Sequence, residues 1–255
     1  GAEPWPGDVG DALFLGNAFT GARGAFVLIP PKPDAPDLRG YQNDIAASIA
    51  AALSKARVPR IVVLSSIGAH LSEGTGPILG LHDLEEKLRR LTNASVVHLR
   101  PGYFMENHLW SIPLIRAQGI NGSAIRPGAR IPMVATQDVA HEAARLFVND
   151  SVAGHSVRYL LGPADLTLAA ATRILGDAIG NPGLRYVQLP EDAVRDAMAR
   201  AGMSRSTIGA MLEMQRGFNL ERIRPTEERN AENSTRTTLE EFAYTVFAKA
   251  YRAAA

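Results

Sequence analysis

The chain has no cysteine among its 255 residues. That excludes disulfides, thiolate nucleophiles and cysteine-ligated metals. It has almost no net charge, 27 Lys and Arg standing against 26 Asp and Glu for a formal +1. Neither a nucleic acid nor an anionic membrane surface is therefore implied as a partner. No apolar run reaches membrane-spanning length, and no signal-peptide pattern, internal repeat or low-complexity tract is visible. A cytoplasmic location is expected. A further absence concerns the fold. No glycine-rich turn directly follows an apolar strand run, so no pyrophosphate cradle of the usual strand–turn–helix kind is visible. The chain opens on Gly1 rather than Met, and the natural start is expected to have been altered or removed.

What is present builds a core. A hydrophobic content of 46% over this length suits one large α/β domain with a smaller C-terminal subdomain. Residues 24–30 (GAFVLIP), 60–66 (RIVVLSS) and 95–100 (SVVHLR) read as buried parallel strands separated by helix patterns. Residues 11–22 read as a short helix with Leu13, Phe14 and Phe19 inward. In residues 37–57, Leu38, Tyr41, Ile45, Ile49 and Leu53 recur at helical spacing behind Asp37, a natural N-cap. Leu81, Leu84, Leu88 and Leu91 mark the next helix. Further helices are expected over 138–148, 168–179, 191–200 and 206–216, and strands over 157–161 and 184–189. Residues 222–234 read as a polar loop. Thr237 with Glu240 resembles a capping box, and Leu239, Phe242, Val246 and Phe247 face the last helix inward.

Alternating strands and helices imply right-handed parallel crossovers, with ligands bound beyond the carboxyl ends of the strands. That rule brings three clusters to one edge: residues 29–32, 65–69 and 101–107. The expected organisation is an incomplete nucleotide-binding domain over 1–148 and a substrate subdomain over 149–255, with 103–132 as the near wall of the pocket.

Five segments, in this order and spacing, carry a family likeness: VLSSIGA (63–69), HDLEEKL (82–88), LRPGYFMEN (99–107), QDVA (137–140) and LLGP (160–163). Together they resemble the NmrA-like branch of the atypical short-chain dehydrogenase/reductases, from GDVGD (7–11) to the final helix. The resemblance implies a Rossmann-like doubly wound parallel sheet and NAD(P) as cofactor. Some members of that family reduce quinones, dyes or other small aromatic or carbonyl compounds; others sense redox state without catalysis. Two departures stand out. The opening strand, TGATGxxG-like turn, helix and second strand of the family are missing, so the chain is expected to be N-terminally truncated. The Tyr-x-x-x-Lys pair of ordinary short-chain dehydrogenases is replaced at the matching positions by His82 and Glu86, with Lys87 one residue off. The NmrA-like branch generally lacks that pair.

The candidate site follows from the strand ends and the resemblance. Ser65 and Ser66 can bond a nicotinamide ribose or a substrate oxygen, or satisfy backbone groups where the strand stops. The resemblance places a carbonyl-orienting serine here. Pro101, Gly102 and Tyr103 would lie against the nicotinamide, with Pro30 and Pro31 passing its ribose and pyrophosphate; Lys32 can reach a phosphate, the plainer reading being a solvated lysine. Phe104, Asn107 and Trp110 would line the substrate side, with Met105 nearby; the plainer reading of Tyr103, Phe104 and Asn107 is ordinary packing of the subdomain. His82, one turn from Glu86, can donate a proton near neutral pH; the plainer reading is an exposed pair beside Asp83 and Glu85 on a solvated face. No third ligand joins His82 and His70, so no metal site is expected. Gly74, Thr75, Gly76 and Gly80 imitate a phosphate turn, but several residues separate them from the strand, and a flexible substrate-side loop is expected. Asp138 is expected to cap its helix. Arg126, Arg130, Arg222 and Arg224 can meet an anionic substrate or face solvent.

The expected activity is NAD(P)H-dependent reduction of a small quinone, aromatic or carbonyl compound, with cofactor binding impaired in this chain alone. The alternative is a non-catalytic redox sensor or small-molecule-binding protein. An apolar parallel edge at residues 24–30 would face water, and a homo-oligomer is one arrangement that would cover it.

Overall fold

In the computed structural model, which describes residues 2–254, the main sheet is parallel and has four strands. Across the sheet they run in the order β1 (Ala25–Val27), β2 (Arg60–Leu64), β3 (Ser95–Pro101) and β7 (His155–Leu160). Their register is continuous, Val27 lying beside Val63 and Val63 beside His98. Strand β1 is shorter than its apolar run, because Pro30 and Pro31 follow closely and cannot extend a ladder. It forms the edge, with Phe26 and Leu28 partly exposed. Strand β7 comes from beyond residue 148, so the sheet draws on both of the segments expected to form separate domains.

Both faces of the sheet are covered, and the apolar strands supply both. Val27, Ile61, Val63 and Val96 pack under α2 (Leu38–Ala56) and α3 (Ile78–Leu88) through Ile45, Ile49, Leu53, Leu84 and Leu88. Val62, Val97 and Leu99 point the other way, onto Val139, Ala143 and Leu146 of α5 (Thr136–Val148). Asp37 caps α2 as expected, its carboxylate accepting from the Gly40 N–H. The helix ends on Arg57 in a left-handed conformation, φ 52°.

The remaining core belongs to the C-terminal part. It joins α6 (Leu168–Ala178) to the last helical stretch: α9 (Leu239–Phe242), a π turn over Ala243–Phe247, and α10 (Ala248–Ala253). Helices α7 (Glu191–Arg200) and α8 (Arg205–Asn219) pack on each other. The near wall contains structure that periodicity does not reveal: β4 (Tyr103–Phe104), a 3-10 turn (Met105–Ser111), α4 (Ile112–Gln118), β5 (Ile120–Ser123) and β6 (Arg130–Val134). Strand β6 pairs with β4 and with β8 (Asp165–Thr167), and β5 with β9 (Arg185–Gln188).

Several local readings need correction. Leu13 in α1 (Ala12–Ala18) points to solvent, and Leu15 takes the buried position. Val246 is likewise exposed, because the π turn rotates Phe247 and Ala248 inward in its place. The cap of the last helix is Thr238, which accepts from the Glu241 N–H, one residue beyond the expected Thr237. Thr237 serves elsewhere, donating its N–H and hydroxyl to Asp138. Asp138 therefore ties the C-terminal segment to α5 rather than capping α5. Both tryptophans of the chain, Trp5 and Trp110, are exposed, at 54% and 85%. No helix among the described residues is long and apolar enough to cross a membrane.

Candidate functional site

A cleft of about 240 Å³ opens at the carboxyl ends of β1, β2 and β3. Leu28 and Ile29 enter it from β1, Ser65, Ser66 and Ile67 from β2, and Pro101 to Phe104 with Asn107 from β3 and the segment after it. Ile78 and Leu81 of α3 form one side, Met214 and Phe218 of α8 the other. Gly102 allows the close approach that closes the wall: a Cβ there would stand 2.4 Å from the Pro132 carbonyl oxygen.

Behind Ser65 lies a buried polar chain. The Ser65 hydroxyl donates to Glu85 Oε1 at 2.5 Å. Arg100 grips the same carboxylate with two bonds, Nε to Oε1 at 2.9 Å and Nη2 to Oε2 at 2.6 Å. Its Nη1 donates to the Tyr159 hydroxyl at 3.0 Å, and that hydroxyl meets Thr226 Oγ1, also at 3.0 Å. Glu85 and Arg100 are both buried. Burial pushes the Glu85 carboxyl up, but the bonds from Arg100 and Ser65 and the nearby His98 outweigh it and hold the group below its ordinary value. Burial likewise works against the Arg100 charge, and Glu85 more than restores it. The sequence profile of the NmrA-like family matches residues 1–243.

The protein belongs to the NmrA-like family.

No curated protein is significantly similar in sequence. In backbone, this NmrA-like protein is similar to an NADPH-dependent quinone oxidoreductase from Escherichia coli solved with NADPH, at 22% identity and TM-score 0.71, over 95% of this chain and 83% of that one. It is similar to a triphenylmethane reductase from Citrobacter sp. solved with NADP(H), at 16% identity and TM-score 0.70, over 98% and 82% of the chains. It is similar also to NmrA, a negative transcriptional regulator solved with NADP, at 18% identity and TM-score 0.63, over 95% and 79%. At these identities the likeness is one of fold.

The NmrA-like cleft gathers most of the expected residues, but not all. Ser65, Ser66, Pro101, Gly102, Tyr103, Phe104 and Asn107 line it. Pro30 and Pro31 do not; Leu28 and Ile29, just before them, take that place. The Pro30 carbonyl accepts from the Tyr41 hydroxyl at 3.2 Å, and Lys32 sits over the Tyr41 ring. Trp110 is outside the cleft and Met105 is buried in the core. His82 is outside as well. Its Nδ1 donates to the Ala69 carbonyl at 2.9 Å, and Glu86 pairs with Arg89 instead. Glu85, read as part of a solvated face, is the buried acid of the helix. The glycine decoy is a packing device: at Gly76 (φ +59°) a Cβ would lie 2.0 Å from the Ala210 carbonyl oxygen of α8. Arg126 pairs with Glu221, and Arg130 bonds the Asp165 carbonyl.

Tyr103 is the titratable side chain of the lining. Burial, helped by Tyr186, raises its phenol well above the ordinary value. It packs on His108 at 5.6 Å and edge-on to Phe218 at 6.4 Å. A second, apolar cavity of about 430 Å³ lies between Phe26, Leu64 and Phe104 and the helix α5, beside the free edge of β1. Among the described residues, no group of His, Asp or Glu side chains could hold a metal ion.

Proposed function

We propose that this protein is an NAD(P)H-dependent oxidoreductase of the NmrA-like type that acts on a small, flat quinone, aromatic or carbonyl compound and grips the dinucleotide weakly. The observation that supports it is the cleft itself: apolar walls and two serines at the carboxyl edge of a parallel sheet. Its volume and lining suit a planar ring, whether the nicotinamide or a substrate.

The diphosphate fits the described residues poorly. Phosphate sites of this architecture use amides at a helix start directly after a strand. Here a proline-rich stretch separates β1 from α2, and a loop packed against α8 separates β2 from α3. Where β6 does run straight into α5, the first amide is already occupied: the Thr136 N–H donates to both oxygens of Glu106, at 3.0 and 3.1 Å. When bound, the nicotinamide supplies a hydride. The chain's own share is to hold the ring, exclude water with Ile67, Ile78, Met214 and Phe218, and orient the ligand at the serines.

The test is NADPH oxidation with a panel of quinones, alongside calorimetric titration of NADPH and NADH. Quinone-dependent turnover is expected, with dinucleotide affinity weaker than micromolar. Micromolar binding would contradict the weak grip. A second reading, a ligand-binding sensor without turnover, is favoured by one observation: the lining lacks a group ready to give a proton, since His82 lies outside it and Tyr103 holds its own. Aromatic ligands binding without any turnover would select that reading.

The same proposal gives the free edge of β1 to a second copy of the chain. Phe26 within β1 and Leu28 just after it are 42% and 39% exposed, and the outer edge of β1 pairs with no strand among the described residues, which is an aggregation hazard if left open. Light scattering is expected to show a dimer that Phe26→Lys converts to monomer; a monomeric wild type refutes it.

A further inference from the structure

We infer that the cleft selects its ligand by a hydrogen-bond donor: the group seated against Ser65 must carry an N–H or O–H, and Glu85 imposes this choice. The inference rests on the reading of the cleft as a site for a small flat aromatic compound.

A carboxylate held by two bonds from a guanidinium is ionised, and an ionised carboxylate only accepts. Glu85 is so held by Arg100, and its Oε1 also receives the Ser65 hydroxyl at 2.5 Å. A serine hydroxyl has one proton to give and two lone pairs. With its proton on Glu85, Ser65 retains only lone pairs for a ligand. A carbonyl oxygen placed there would meet another acceptor. Turning the hydroxyl around would strip a bond from a carboxylate that is 1% exposed, which is costly. Nor can Glu85 swing away, because Arg100 is itself fixed by Tyr159. Ser66, alongside in the lining, makes no side-chain hydrogen bond to the described residues and can turn either way. Two adjacent serines, one restricted to accepting and one free, match a primary carboxamide, a phenol or an aromatic amine better than a quinone or ketone seated at Ser65. A carbonyl substrate would have to place its oxygen elsewhere, at Ser66.

Two flat ligands of nearly equal shape test this: 2-naphthamide, which has an N–H₂ donor, and methyl 2-naphthoate, which has none. Their affinities are measured by titration of the whole chain, wild type and variants. In the wild type the amide is expected to bind about five- to tenfold tighter relative to the ester than it does in Ser65→Ala, the yield of one net hydrogen bond. Ser65→Thr, which keeps the hydroxyl, is expected to retain the wild-type ratio. A ratio that is unchanged by Ser65→Ala, or a wild type that favours the ester, overturns the inference and leaves the aromatic cleft standing. Failure of both ligands to bind overturns the inference and that reading of the cleft together.

Discussion

Glu85→Gln is expected to lower the unfolding free energy by about 3–5 kcal/mol, enough to consume much of the stability of an ordinary domain. The substitution removes a carboxylate that is 1% exposed and leaves Arg100, 5% exposed, charged and without its counter-ion. The guanidinium does not escape by losing its proton. Gln can still accept one bond, which does not replace the two that Arg100 donates now. Arg100→Met should cost a similar amount for the converse reason, until acid neutralises the stranded carboxyl. The double variant Glu85→Leu with Arg100→Met is expected to recover most of the loss, because an apolar pair of similar volume avoids the desolvation of both charges. Urea unfolding followed by circular dichroism measures all three. A loss below about 1 kcal/mol for Glu85→Gln, in the range of surface pairs, would show that water reaches this site.

Mild acid should act as strongly as that substitution. His98 in β3 and His108 in the 3-10 turn are both buried, and each has a ring nitrogen with no hydrogen-bond partner. Burial pushes both imidazoles down to about 4. At His98, Glu85 pulls upward and Arg100 downward, and burial prevails. An unfolded chain takes up these two protons near 6.5, whereas the folded chain resists them until about 4. Protons thus bind preferentially to the unfolded state, and stability falls as pH falls. The contribution is whole above about 6.5 and is lost progressively between 6.5 and 4, the loss reaching roughly 3 kcal/mol per histidine at the bottom of that window. Glu85, whose folded value is lowered, adds its own loss at still lower pH. Urea midpoints at pH 7.5, 6 and 5 should fall in sequence, and His108→Leu should reduce the slope. A midpoint constant over that span would mean that the two rings charge freely in the native protein.

The elements that could be read from the chain are those whose signals are local. Helix α2 carries its cap at Asp37 and a clear apolar period, and β2 and β3 are short apolar runs with breakers at either end. Strand ends then pointed to Ser65, Ser66 and residues 101–107. What escaped depends on contacts between distant segments. Met214 and Phe218 reach the cleft only because α8 folds back across it. Strands of two to five residues, such as β4 and β6, are too short to show alternation. Thr237 and Thr238 offer the same chemistry in neighbouring places, and Asp138 decides between them from the far side of the chain. Glu85 did leave a trace. It stands four residues after Leu81 and three before Leu88, on the buried face, and Arg100 is a charge at the end of an apolar strand that needs a partner. Counting Glu85 with its acidic neighbours Asp83 and Glu86 hid that face.

The exposure of the two tryptophans bears on how any of this is observed. Indole emission shifts to the red when water surrounds the ring, and here Trp5 and Trp110 are already in water in the folded protein. Their fluorescence should barely change on denaturation, so an optical melt that monitors them would look featureless while the sheet came apart. An indole introduced at Phe218, on the cleft wall, would instead give the native state a signal of its own.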